Sequence, residues 1–352
     1  MIIFAWKEFP QYAARCIGAF VRATDESVVV VATRPLVPIN GMESVCNCPV
    51  HWIDGAGSFD CPVRHGEGIA LFTTGWDVPA FNRLRDQVRA RGGRTICLVD
   101  NNFIPSFVEI IRAIRFNLLF RRHYDAFVVP GRSGRKLLRF YGVPDDMIRE
   151  GSYAADESLF TPGPALAERP KRIVYVGQFC ERKNVKRLVE AFRRSLEVLR
   201  SGGLDVGAWS LGMYGSGPLK EKLVALAGTG RDGTVEVHDF LQPEELAAKY
   251  REARIFCLPS VEEHWGLVVH EAALSGCALL LSNRVGAADD LLEEGVNGLA
   301  FDPYDIGDMS AKFAQAMART FETEDVSERA RGMGVSRFVD AVKGCLGRTP
   351  CR

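Results

Sequence analysis

Ile255-Phe256-Cys257-Leu258 runs into Pro259-Ser260-Val261-Glu262-Glu263-His264-Trp265-Gly266-Leu267-Val268-Val269-His270-Glu271-Ala272. The first four residues are a continuous apolar run, the pattern of a strand buried on both faces. Proline ends it, a loop carries two acids, and a helix is predicted to start near Gly266. Strand, short loop and helix in that order form part of a parallel α/β repeat.

The alternation extends both ways. Downstream, apolar runs recur at Ala278–Leu281 and Leu299–Phe301; upstream they lie at Arg172–Val176, Trp209–Tyr214 and Val235–Val237. Helices fill Asn184–Arg200, Pro218–Ala227 and Pro243–Glu252. Phe160–Pro170 holds three prolines without apolar periodicity and reads as a linker. Before it the pattern repeats, with strands at Ile2–Ala5, Val28–Ala32, Ile69–Thr73, Thr95–Val99 and Ala126–Val129, and helices at Val78–Arg91 and Arg132–Tyr141. The fold class is α/β, with two Rossmann-like doubly wound domains over residues 1–160 and 161–330. Residues 331–352 form a C-terminal helical tail expected to pack back on the first domain. Open parallel sheets bind ligands at the carboxyl ends of their strands, so a cleft faced by both sheets is the expected site.

Composition narrows the class. The chain has 352 residues, 47% of them hydrophobic, and 44 basic against 44 acidic side chains. Two domains of ordinary size fit that length. A net charge of zero argues against wrapping nucleic acid over the whole surface. The ten cysteines include no C-x-x-C pair, and Cys97, Cys257 and Cys277 sit in apolar runs, as buried reduced thiols do. Cys46, Cys48 and Cys61 cluster only loosely. No apolar run approaches the roughly 18 residues of a membrane span, and the start is too short for a signal peptide. A cytoplasmic protein is expected.

Glu263 and Glu271 lie eight residues apart, roughly 12 Å if helical. They could touch opposite ends of one polyhydroxylated ligand, or simply flank an ordinary βα turn in solvent. Gly266 admits a ligand to backbone N–H groups at a helix start. In Val176-Gly177-Gln178-Phe179-Cys180-Glu181-Arg182-Lys183-Asn184 a strand leads into a turn with two cations, which suit a diphosphate or a plain charged surface equally.

The Glu263–Glu271 segment resembles the E-x7-E signature of the retaining family-four glycosyltransferases of GT-B fold (glycosyl transferases group 1). The likeness runs through Ser275-Gly276-Cys277-Ala278 and Gly286 to Gly298, over roughly residues 170 to 310. Asp290 stands where the family usually has Glu, and Ala287 where it often has a second Gly. The resemblance implies that Glu263 contacts the transferred sugar and Glu271 the nucleotide ribose. It implies that Lys183 holds donor phosphates, with Arg182 beside it and Gln178 replacing the family's arginine; Asn184 replaces a glycine. Catalytic roles fall to Glu263, Lys183 and Arg182. Donor contacts fall to Gly177, Gln178, Gly215, Phe240, His264, Gly266, Leu267, Val268 and Glu271. Tyr214-Gly215-Ser216-Gly217-Pro218-Leu219 resembles a tight turn beside the nucleotide, and Val237-His238-Asp239-Phe240-Leu241 the base-pocket lining.

In the first domain the family's glycine-rich loop falls on Trp6-Lys7-Glu8-Phe9-Pro10-Gln11-Tyr12-Ala13-Ala14-Arg15, which lacks those glycines. Gln11 and Tyr12 are acceptor candidates there. Asp100-Asn101-Asn102-Phe103 follows a strand; an acceptor-hydroxyl site and an Asx turn both fit. His51, His65 and His123 have no partner spacing. No D-x-D follows an apolar strand, so no metal is required and no cofactor beyond the nucleotide-sugar donor is expected.

The implied activity is retaining transfer of a sugar from a nucleoside-diphosphate sugar to a glycan or glycolipid hydroxyl, in bacterial surface polysaccharide, lipopolysaccharide or glycolipid synthesis. Alternatives are a GT-B phosphorylase, a nucleotide-sugar epimerase and a non-catalytic scaffold. Residues 112–139 carry eight basic residues and one acidic; residues 232–308 carry sixteen acidic and four basic. The basic window begins in an apolar, cationic stretch without a clean helical stripe. It reads either as a core helix with solvated arginines or as peripheral contact with anionic membrane through Arg112, Arg115, Arg121 and Arg122.

Overall fold

The computed structural model describes residues 1–34, 41–53, 59, 68–203, 209–228 and 234–347. Cys61 and His65 lie outside them. In chain order the elements are β1 (Ile2–Trp6), α1 (Gln11–Arg22), β2 (Val28–Ala32), α2 (Met42–Cys46), β3 (Val50–Trp52), β4 (Ala70–Thr74), α3 (Pro79–Ala90), β5 (Arg94–Leu98), α4 (Phe107–Leu119), β6 (Ala126–Val129), α5 (Arg132–Phe140) and β7 (Ile148–Glu150). There follow β8 (Arg172–Val176), α6 (Val185–Ser201), β9 (Ser210–Tyr214), α7 (Lys220–Gly228), β10 (Thr234–His238), α8 (Pro243–Glu252), β11 (Ile255–Leu258), α9 (Leu267–Leu274), β12 (Ala278–Ser282), α10 (Ala288–Leu291), β13 (Gly298–Phe301), α11 (Ile306–Ala318), α12 (Thr323–Arg331) and α13 (Val335–Leu346).

Two α/β units result. The first holds Met1–Ala154 together with the chain from Met333 onward; the second is Ala155–Gly332. The first sheet has seven strands in the order β3-β2-β1-β4-β5-β6-β7, the second six in the order β10-β9-β8-β11-β12-β13. All the strand pairs are parallel. Strand order reverses between β1 and β4 in the first sheet and between β8 and β11 in the second. The loops leaving those strands diverge to opposite faces, which opens a crevice at each switch point.

The apolar runs explain the layers. β1, β6, β11 and β12 are buried at every residue, as strands covered on both faces must be. In α6 the buried Val185, Leu188, Val189, Phe192, Leu196 and Leu199 recur at helical spacing on one stripe. In the first unit Phe4 stacks on Phe72 at 5.0 Å, and Phe338 of α13 lies 6.1 Å from Phe4. The apolar face of α13, with Ala341, Val342 and Cys345, thereby completes the core around α1.

Phe160–Pro170 is not a free linker: it belongs to the second unit. Arg169 is 2% exposed and donates to the carbonyls of Pro164 (2.8 Å), Ala253 (2.9 Å) and Ser275 (3.0 Å). Prolines keep the segment out of helix and strand, while the buried guanidinium fixes it against α8 and α9. Among the described residues no helix is long and apolar enough to cross a membrane.

Candidate active site

The second unit's crevice is built by the loops after β8 and β11. After β8, Gly177 leads to a single 3-10 turn, Glu181–Lys183, and then Asn184 caps α6. Asn184 sits at φ +57°, a left-handed conformation that glycine adopts freely and asparagine better than most residues. This explains how Asn replaces Gly here; its Nδ2 also donates to Pro303 O at 2.9 Å. The turn points Lys183 inward, so that its side chain is 10% exposed.

After β11, Pro259 to Gly266 forms the second wall. Glu263 is 9% exposed and bridges in parallel to Val285. The loop is held from both sides. Val261 N donates to Arg182 O at 2.9 Å, and Gly286 N to Glu263 O at 3.0 Å. Gly266, at φ +92°, turns the chain into α9. Leu267 and Val268, partly buried, form the first turn of that helix.

The two loops meet in one charged cluster. Lys183 Nζ donates to Glu263 Oε2. Ser260 Oγ donates to the same oxygen at 3.2 Å, and Arg182 Nη1 lies 3.8 Å from it. Arg182 also donates to Glu262 O at 2.6 Å and keeps 43% of its side chain exposed. One carboxylate thus faces two cations and a hydroxyl at a sheet's switch point. Removing such a pair from water is costly unless each charge is satisfied. Here the second cation and the hydroxyl meet that need, and Arg182 stays partly in solvent.

Glu271 is placed differently. It lies on the second turn of α9, and the buried Tyr250 hydroxyl donates to its Oε2 at 3.1 Å. Because α9 starts only at Leu267, Glu263 precedes the helix, and the helical spacing expected between the two glutamates does not apply.

The loops after β8 and β9 are laced by backbone bonds: Gly177 N to Tyr214 O at 3.1 Å and Phe179 N to Ser216 O at 2.7 Å. A Cβ on Gly215 would lie 1.9 Å from Gly177 O, so Gly215 is required by packing. Gln178 is exposed, and its carbonyl accepts from Tyr175 Oη at 2.8 Å. His264 lies 3.5 Å from Glu262, and Phe240 is 49% exposed beyond β10.

His270 carries no functional motif of its own in the sequence. It is fully buried on α9; its Nδ1 accepts from Ala155 N at 3.1 Å, so its Nε2 carries the proton toward Ala330 O at 2.9 Å. It ties the two ends of the second unit to α9. No local pattern marks that job, because both partners are backbone groups distant in sequence.

In the first unit a cavity of about 430 Å³ opens at the β1/β4 switch point. Trp6, Lys7, Glu8, Tyr12, Thr74, Asp77, Asp100 and Tyr153 line it. Tyr12 and Asp100 are among the expected acceptor residues; Gln11, Asn101 and Asn102 are not among the lining residues. The Tyr12 and Tyr153 rings meet edge-on at 5.0 Å. Burial pushes both phenols above their usual range; the Asp100 carboxylate adds to this for both, while the hydrogen bond with Tyr153 works against it at Tyr12. Lacking the family's glycines, the β1–α1 turn places Glu8 itself at φ +53°. Its N–H donates to Thr33 Oγ1 at 2.7 Å, and Lys7 N to Thr74 Oγ1 at 3.0 Å. Thr74 at the end of β4 with Asp77 just after it, and Tyr153 after β7, reach the cavity from segments far apart in the chain, which sequence spacing does not reveal. Among the described residues no group of three or more His, Cys, Asp or Glu is placed to hold a metal ion.

Comparison with known proteins gives this geometry relatives. The profile of "Glycosyl transferases group 1" matches residues 159–333. D-inositol 3-phosphate glycosyltransferase of Corynebacterium efficiens is 30% identical over 212 residues, covering 55% of this chain and 47% of that protein. Sulfoquinovosyl transferase SQD2 of Arabidopsis thaliana is 32% identical over 140 residues, covering 39% of this chain and 26% of that one. The chain therefore spans about half or less of the length of these curated relatives. Anabaena HepE, solved in complex with UDP, superposes with a TM-score of 0.71 at 13% identity over 97% of this chain and 98% of that one. That likeness shows the fold, which is GT-B. With the Lys183–Glu263 cluster and the Tyr250–Glu271 contact both inside them, residues 159–333 of the chain belong to the glycosyl transferases group 1 family.

Proposed function

We propose that the chain transfers a sugar, with retention, from a nucleoside-diphosphate sugar to an acceptor hydroxyl. The observation that carries the reading is the Lys183–Glu263–Arg182 cluster at the second sheet's switch point. The donor diphosphate would lie over the loop after β8, where Lys183 and the exposed part of Arg182 offset its charge. As the bond from the anomeric carbon to the diphosphate oxygen lengthens, negative charge grows on that oxygen, and fixed cations lower the barrier. Glu263 would hold the sugar's hydroxyls, with Leu267 and Val268 N–H at the start of α9 adding donors. Glu271 would take the ribose hydroxyls.

No carboxylate is assigned as a nucleophile. The acceptor hydroxyl would attack on the face the diphosphate vacates. Its proton would pass to the departing phosphate oxygen, and the new C–O bond would form where the old one broke. With two cations at the diphosphate, the reaction is expected to need no metal. The acceptor would bind in the first unit's cavity, against Tyr12 and Asp100. A cytoplasmic role in surface-glycan or glycolipid synthesis fits the resemblance of the sequence.

The test is product analysis with a panel of nucleotide sugars, with and without chelator. A new glycosidic bond of unchanged anomeric configuration, formed in the presence of chelator, is the expected result. Phosphorolysis, epimerised sugar nucleotide or strict metal dependence would overturn the corresponding part of the reading.

A further inference from the structure

Helix α4 is built inside out. Its inward face carries Glu109, 5% exposed, and Phe116, 1% exposed. Tyr141 Oη donates to Glu109 at 2.6 Å, Asn117 Nδ2 donates to Tyr141 O at 2.7 Å, and Phe116 packs 4.9 Å from Trp76. Ser106 caps the first turn through Glu109 N at 3.3 Å. The inward face alone thus anchors the helix to the rest of the first unit.

Its outward face is apolar. Phe107 (75% exposed), Ile111 (55%), Ile114 (57%) and Leu118 (68%) follow one another at helical spacing on a single stripe. Val108, Ile110 and Leu119 flank it, also exposed. Of the thirteen exposed large apolar side chains among the described residues, seven sit on this helix. A helix on a water-facing surface shows the opposite arrangement, and so large an apolar patch marks an interaction surface. The stripe was hidden in the sequence because it begins at Phe107, upstream of the stretch that suggested a core helix.

The surrounding charge selects the occupant. Between residues 107 and 123 Glu109 is the one acid, and it is buried. Arg112 is exposed beside it, Arg115 is exposed with its guanidinium 5.8 Å from the Phe120 ring, and Arg122 is exposed. Arg121 instead turns inward, its Nη2 lying 3.5 Å from Met147 Sδ. A second copy of this face would bring cations against cations. Anionic lipid complements both the apolar stripe and its cationic rim. We infer that α4 docks the first unit onto an anionic lipid surface, with Phe107, Ile111, Ile114 and Leu118 entering the acyl boundary and Arg112, Arg115 and Arg122 meeting headgroups. This is independent of the glycosyl-transfer reading.

The test is co-sedimentation of the full chain with vesicles of phosphatidylcholine alone or with about one third phosphatidylglycerol, at low and high salt. Wild type should partition at least about tenfold more strongly onto the anionic vesicles at low salt. Ile111→Ser/Leu118→Ser should lose about tenfold or more of that binding with an unchanged unfolding midpoint. Arg115→Gln/Arg122→Gln should remove the salt dependence. Absence of binding to anionic vesicles at low salt would overturn the inference, as would full binding by the serine variant. A lipid-free dimer that the serine substitutions dissociate would assign the stripe to a second copy instead.

Discussion

Replacing Lys183 with alanine probes the site most sharply. The ammonium is 10% exposed and the Glu263 side chain 12%, so the substitution strands a carboxylate largely shielded from water. Breaking a buried pair from one side typically costs about 3–5 kcal/mol. Two groups soften the loss here: Arg182 at 3.8 Å and the Ser260 hydroxyl at 3.2 Å. A cost of about 2–3 kcal/mol is therefore expected. For a unit spanning Ala155–Gly332, that lowers the midpoint of thermal unfolding by about 5–10 °C. Glu263→Ala should cost a comparable amount, and the double variant clearly less than the sum. A double-mutant cycle read by urea unfolding then gives a coupling of about 1.5 kcal/mol or more. Sugar transfer, assayed well below the lowered midpoint, should fall about 100- to 1000-fold in Lys183→Ala, as when a charge-stabilising donor is removed. A coupling below about 0.5 kcal/mol would refute the paired geometry, and near-normal transfer would refute its role in the reaction.

Other perturbations address separate parts of the molecule. Tyr250→Phe removes the hydroxyl held 3.1 Å from Glu271 and should cost about 1 kcal/mol of stability, with a severalfold rise in Kd for nucleoside diphosphate in calorimetry; an unchanged Kd would detach Glu271 from the ribose. Glu8→Gly relieves a left-handed backbone at φ +53° and should stabilise the protein by about 0.5 kcal/mol after the entropic cost of glycine, whereas a loss in urea unfolding would contradict the strain. Burial pushes the Cys16 and Cys277 thiols up to about 12 from 9.0. The folded state keeps protons that the unfolded state releases, so stability is full below about pH 9 and declines as pH rises toward 12. A flat midpoint across that window, or alkylation of these thiols in the native protein at pH 8, would contradict their burial.

Period and punctuation carried most of the fold. Val28–Ala32, Ala126–Val129, Arg172–Val176 and Ile255–Leu258 form strands with the limits their apolar runs announce, because a strand buried on both faces leaves no room for polar residues. Phe160–Pro170 looks like a linker by composition, yet long-range hydrogen bonds from the buried Arg169 fix it in the second unit. Short elements such as α2 and β3 carry too few residues for a period to show. Lys183 and Glu263 were legible as candidates from their motifs, but not as neighbours. They lie eighty residues apart, and only the β8–β11 pairing brings their loops together. The cavity at β1 and β4 was half legible. Tyr12 and Asp100 stood out, whereas Asp77 and Tyr153 sit in stretches with no chemical signature of their own.

The central claim is that the loops after β8 and β11 bind a nucleoside diphosphate through Lys183. Calorimetric titration of wild type and Lys183→Ala with UDP, GDP and ADP tests it directly. The account predicts saturable binding of at least one of the three, weakened about tenfold or more by the substitution. Equal affinity in the two proteins, or no binding of any nucleoside diphosphate to wild type, would contradict it.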